Sequence, residues 1–295
     1  AGLRSFGMTR PIMVSVLAGS VVNAVLDPIL IFGYGPLPAM GIKGAAYASV
    51  VAGGVSLLAL TYYALALPGA PFPQLPGSLA FKAARVGFPS MVERLVFVSG
   101  NLLYLGAVAY CGEEALAAHT IGVRVESIAF MPLFSIATAA GALVSWEVGA
   151  GRISESKTLA WELLKFSTAS GAVIGLLLAI LSPVIPRFFT EEAGVAGLAT
   201  VYLVIAGLTE PMLAVAMSSS QIIRSAGDTR TPTIVNTLGL YTFRVLPALL
   251  LVRMAPEGAC AIAAWLAMAL DVTARAAIMG FIQHRYYTRL ARKLI

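Results

Sequence analysis

Eight stretches of this chain, 11–32, 44–67, 86–110, 117–146, 160–185, 195–222, 232–253 and 258–283, carry no more than two charged side chains apiece. Each is longer than the roughly 20 residues a helix needs to cross the hydrocarbon of a bilayer. No water is available there to satisfy a backbone N–H or C=O, so an apolar stretch of this length folds as a helix that bonds to itself. Composition points the same way. Charged residues are 12% of the 295 and hydrophobic ones 59%, against roughly a quarter charged in an ordinary soluble domain. Such a chain cannot coat itself for water. A soluble enzyme, a disordered chain and a disulfide-stapled secreted module are excluded. The class is an all-α membrane protein with eight transmembrane helices.

Lysine and arginine set its orientation. One alternating set of loops holds thirteen of them, from Arg4 to Lys293, and the other holds Lys43, Arg187 and Arg253. The positive-inside rule then puts both ends of the chain in the cytoplasm of a multi-pass cell-membrane protein. The net charge of +6 is spent on topology, so no nucleic-acid partner is expected. The segment 68–85, with four prolines, reads as a cytoplasmic linker between bundles. It divides 1–67, with two helices, from 86–295, with six.

The first loop has a counterpart. LRSFGMTR at 3–10 and IRSAGDTR at 223–230 share Arg, Ser, Gly, Thr and Arg at an offset of 220. The pairing continues weakly through the next two helices, which makes a repeat. Its period holds six spans, an even number, so the copies are parallel. The first copy is expected to begin about 140 residues before Ala1, room for about four further spans. The two helices of 1–67 would then close an N-terminal bundle, in a molecule of twelve.

Few residues in the spans can carry chemistry. Asn23 and Asp27 lie four apart on one helix face, and Pro28 frees the carbonyl of Ala24. This set reads either as a site for a proton or small hard cation or as a capped Asp-Pro kink. Asp27 lies 16 residues past Pro11, about 24 Å along the helix. Arg244, Asp271 and Glu210 fall at mid-depth, where an unpaired charge costs about 2.5–3.5 kcal/mol. Arg244 paired with Asp271, and Asp271 with Arg275 one turn on, is the economical arrangement. With Glu210 these form an expected structural ion network. Glu93, Glu126, Tyr47, Tyr104, Phe130, Met131 and Phe134 are candidates to line a cleft, because aromatic and methionine side chains adapt to varied apolar ligands.

Gly53 with Gly54 and the alanines of 259–269 suggest close helix packing. Cys111 and Cys260 both fall at outer helix ends. A disulfide is open to them, but two small buried residues are the favoured reading. His119 and His284 are the only histidines. With no HExxH, P-loop or GxGxxG, no metal site, cofactor or enzyme is expected.

RSFGMTRP, NAVLDPILIFGYG and MGIKGAAYAS resemble the fifth and sixth helices of the multidrug and toxic compound extrusion (MATE) transporters. GFPSMVERLVF, EEALAAHTIGVRVESIAFMP and IRSAGDTRTP resemble that family's second lobe. The resemblance implies two six-helix bundles in a V around a cleft. This chain would be the C-terminal two-thirds. It implies export of amphipathic, often cationic, drugs or metabolites against inward H⁺ or Na⁺, by a monomer, with Asn23 and Asp27 as the first-lobe cation site. Two positions depart from the pattern. Ser145 and Trp146 follow Leu143 and Val144 where the family reads Gly-Gln. Leu213 stands where some sodium-coupled members carry an acid. A flippase for a lipid-linked substrate is the alternative. Its pyrophosphate would need more cations than Arg94, Arg124, Arg244 and Arg275, of which acids are expected to neutralise two or more.

Overall fold

The computed structural model describes residues 9–33, 38–65 and 77–291, and every regular element among them is a helix. The chain divides into two compact units, Ala1–Ala83 and Ala84–Ile295. In the first, α1 (Thr9–Phe32) and α2 (Ile42–Leu65) fold back on one another. Met40 and Gly41 at the turn donate to the carbonyls of Leu30 and Ile31, at 3.0 and 3.1 Å. The close approach comes at Gly19, where a Cβ would meet the Ala52 carbonyl oxygen at 2.8 Å. Gly53 and Gly54 do not supply it. A Cβ on either would meet nothing within 4 Å among the described residues. The helix turns by about 100° per residue, and these two glycines fall off the contact stripe that Ala48 and Ala52 occupy.

Six further helices follow, all within the second unit but for the first residues of α3, 77–83: α3 (Gly77–Ala109), α4 (Glu113–Gly149), α5 (Ile153–Leu181), α6 (Ala193–Ser225), α7 (Arg230–Met254) and α8 (Cys260–Ala291). Seven of the eight described helices are long and apolar enough to cross a membrane, and the eighth, α3, has a shorter apolar part, Arg94–Ala109. The chain is a multi-pass membrane protein. Helix α3 begins inside the segment read as linker, because SLAFKAAR after Gly77 is built mostly of good helix formers. The remainder of that segment, 68–76, and the 3–8 part of the repeat loop lie outside the described residues.

Helix α6 is the hub, packed on α4, α5 and α8. Its contact with α5 is backbone on backbone: a Cβ at Gly175 would meet the Gly207 carbonyl oxygen at 2.1 Å. Small residues at such crossings let membrane helices gain dispersion contact where no hydrophobic effect drives them together. Ala261, Ala264 and Ala267 of α8 are buried in the same way. One end of the bundle is filled by Tyr104, Tyr202 and Trp265. Toward the other end, Val144, Ile222 and Tyr287 pack together, and the Tyr287 hydroxyl meets Ser156 at 2.9 Å.

Two features of this unit were not expected. Cys111 and Cys260 form a disulfide, with Cα atoms 5.5 Å apart. The end of α3 and the start of α8 converge at one end of the bundle, bringing together thiols 149 residues apart in sequence. Helix α7 also widens into a π turn over Leu240–Val245. The cause lies two residues on. Pro247 has no N–H to give the Phe243 carbonyl four residues back, and its ring crowds that carbonyl. The winding loosens to accommodate it.

Candidate functional site

Two hollows open on the second unit, of about 460 and 620 Å³. They share Arg94, Phe97, Glu126, Phe130 and Arg244, so they are two parts of one depression. Helices α3, α4 and α7 supply those shared residues. One part adds Phe134, Leu213 and Arg275. The other adds Tyr104, His119, Arg124 and Tyr202. Phe130 and Phe134 stack with ring centroids 6.0 Å apart. Leu213 adds an apolar side chain to this wall.

The ions of this depression are arranged around Asp271, which is fully buried. Arg275, one turn along α8, grips it with two nitrogens, at 2.6 and 2.7 Å. Gly239 of α7 makes room for the arginine, since a Cβ there would meet Arg275 Cγ at 2.7 Å. Arg244 reaches the same carboxylate from the π turn, Nε to Oδ2 at 2.9 Å. The mid-depth charges Arg244, Asp271 and Arg275 are therefore in one cluster. Glu210 is not in it. Its side chain is buried between α6 and α5, and neither carboxylate oxygen has a hydrogen-bond partner among the described residues. Depth alone placed it with the arginines; its direction on α6 takes it elsewhere.

Aromatic rings back the cluster. Arg244 lies over the Tyr104 ring, 5.5 Å from its centroid. The His119 ring stands edge-on between Tyr104 and Tyr202, at 5.7 and 5.3 Å. The Tyr202 hydroxyl donates to Glu126. Gly122 of α4, one turn before Glu126, lets the Tyr202 ring in, for a Cβ would meet it at 2.2 Å. Tyr104 is buried under Arg244 and donates to the Ala264 carbonyl at 3.1 Å.

The other candidates fall as follows. Met131 does not line the depression; it is 63% exposed, a turn of about 100° beyond Phe130. The Glu93 side chain lies outside the described ones. Tyr47 is exposed in the first unit. There, Asn23 and Asp27 are both half-buried, and the Asn23 amide donates to Asp27 Oδ1 at 3.3 Å. Sequence reasoning missed Tyr202. The available signal was a tyrosine in mid-span, whose hydroxyl needs a partner when buried.

The MatE family model matches residues 89–250, which run from α3 to α7. A probable multidrug resistance protein NorM of Thermotoga maritima is 29% identical over 284 residues, 94% of this chain and 60% of that protein. An FAD transporter of Shewanella oneidensis is 27% identical over 211 residues, 69% of this chain and 46% of that one. The chain thus spans about half to three-fifths of the length of these relatives. A crystal structure of a MATE protein in complex with MaD3S has the same fold, with a TM-score of 0.85 at 19% identity, covering 98% of this chain and 65% of that one. The matched segment contains every residue that the two hollows share, and so this chain belongs to the MatE family of multidrug and toxic compound extrusion transporters.

Proposed function

We propose that the protein carrying this chain is a secondary antiporter. It exports amphipathic small molecules in exchange for H⁺ or Na⁺, by alternating access between bundles, with both ends of this chain in the cytoplasm. The observation that carries this reading is the depression on the second unit. It joins a phenylalanine wall to a small set of ionisable groups on one side of a membrane-embedded bundle, the chemistry of a site for ligands that are part apolar and part charged. The names of the two relatives, a multidrug resistance protein and an FAD transporter, fit cargo of that kind.

Coupling in this reading belongs to the first unit. Asp27 takes up the ion, and Asn23, one turn away and hydrogen-bonded to it, orients the carboxylate. A carboxylate, a side-chain amide and the carbonyl released by Pro28 can hold a proton or a small hard cation. Discharge of cargo and uptake of the ion then compete, which is what exchange requires.

The test uses the whole protein in proteoliposomes with an imposed H⁺ or Na⁺ gradient and fluorescent amphipathic dyes. Gradient-driven dye movement is expected in the wild type. Asp27→Asn keeps the size and loses the ionisable group. It should insert and fold, and lose gradient-driven movement by about tenfold or more. Wild-type transport by Asp27→Asn across about pH 5 to 8 would leave Asp27 a kink residue and end this reading of the coupling site. A flippase for a lipid-linked substrate is the second reading. It is favoured by the presence of Arg94, Arg124, Arg244 and Arg275 on one depression.

A further inference from the structure

Four arginines that the sequence places within spans, Arg94, Arg124, Arg244 and Arg275, line the same depression. Such groups are costly in a membrane, and pairing with acids is the usual relief. Here the acids run short. Asp271 is shared by two guanidinium groups, so that trio keeps one positive charge. Arg244 spends only Nε on it; among the described residues its terminal nitrogens have no hydrogen-bond partner. Arg94 is exposed and has the Phe97 ring at 6.0 Å as its one ionic or aromatic contact among the described residues. Glu126 is the one carboxylate among the described lining residues, and Tyr202 already donates to it.

From this excess we infer that the depression binds an amphipathic organic anion. A carboxylate or phosphate group is held by Arg94 and Arg244, and an aromatic or apolar body lies along Phe97, Phe130 and Phe134. A guanidinium fork matches such oxyanions with paired, charge-assisted hydrogen bonds. The π turn supports the assignment, because it aims Arg244 at the hollow while Nε stays fixed to Asp271. Arg275 is held with both Nε and Nη2 on the acid; it positions Asp271 and thereby Arg244. The inference rests on the exporter reading and replaces its expected cationic cargo with an anionic one.

The test compares two dyes with the same xanthene ring, anionic fluorescein and cationic rhodamine 6G, on the whole protein in nanodiscs and in proteoliposomes. Fluorescence anisotropy should give fluorescein about tenfold tighter binding or better, weakened by high salt. Arg94→Gln touches no buried ion pair and serves as the variant safe for folding. It should cost fluorescein about tenfold and leave rhodamine 6G unchanged or improved. Arg244→Gln should act in the same direction, with size-exclusion elution checking the fold. NBD-labelled phosphatidylglycerol is the third probe. Its movement in place of fluorescein keeps the anion site and makes a lipid headgroup the source. Tighter binding of rhodamine 6G, binding of neither dye, or an Arg94→Gln variant that holds fluorescein as well as wild type would each overturn the inference. The two readings fail separately. Gradient-driven transport of rhodamine 6G alone preserves the exporter and removes the anion site. Fluorescein binding with no gradient-driven movement does the reverse.

Discussion

The Tyr202 hydroxyl on α6 donates to the Glu126 carboxylate on α4, across a gap that Gly122 keeps narrow. Tyr202→Phe keeps the ring contacts with His119 and Trp265, at 5.3 and 5.5 Å, and deletes only the donor. It should lower unfolding stability by about 1–3 kcal/mol. Tyr202→Ala opens a cavity as well and should cost about 3–5 kcal/mol. Thermal unfolding in detergent distinguishes the two. A Tyr202→Phe variant as stable as wild type would mean that the hydroxyl contributes nothing, and equal losses in the two variants that the ring adds nothing to it.

Asp271 and its two arginines are unequal in what their removal leaves behind. Asp271→Asn strands both guanidinium groups and should cost about 3–5 kcal/mol, seen as a sharp fall in folded yield. Arg244→Gln leaves the two-pronged Arg275 pair intact and should be milder. An Arg244→Gln variant as damaging as Asp271→Asn would show that the Arg275 contacts do not suffice to hold the carboxylate.

Two glycines give a matched pair for packing. Gly175→Ala drives a methyl into the α6 backbone and should cost at least about 1–3 kcal/mol, with α5 and α6 forced apart. At Gly106 a Cβ meets nothing within 4 Å among the described residues. Gly106→Ala should be neutral or gain up to about 1 kcal/mol from the stiffer chain. Melting temperatures of the two variants check the order.

Orientation and oxidation can be tested together. Glu191→Cys should react with an impermeant maleimide on intact cells, and Lys157→Cys should not. Both sites are exposed; Lys157 lies near the start of α5 and Glu191 in the connection from α5 to α6. Cys111 and Cys260 should stay unlabelled until a reductant is added, since the proposed orientation puts their bond on the oxidising side of the membrane. Labelling of Lys157→Cys but not Glu191→Cys would reverse the topology.

The eight helices were legible because a bilayer imposes one solution on a long apolar run. The Arg244–Asp271–Arg275 cluster was legible because few charges at mid-depth leave few ways to pair them. Other features depend on what lies across from a residue, and a single sequence carries little of that. Glu210 shares the depth of the arginines and points elsewhere. Met131 is a neighbour of Phe130 with a different outlook. Gly53 and Gly54 have the composition of a contact without its phase. The Cys111–Cys260 bond joins residues that only the folded bundle brings together. Arg94, Arg124, Arg244 and Arg275 could be named in advance, but their gathering on one wall could not.

The wide turn at Leu240–Val245 has a consequence for descent. A π turn holds one residue more than α winding over the same rise, so it amounts to an insertion that the helix has absorbed. Loss of one codon within it would rewind the turn while the flanking segments 230–239 and 246–254 kept their seats on their neighbours. What would change is the side chain presented from the turn, Arg244 first among them. If the depression holds the cargo as proposed, cargo preference in a lineage of such chains can shift by a single in-frame deletion, without renegotiating the rest of the bundle.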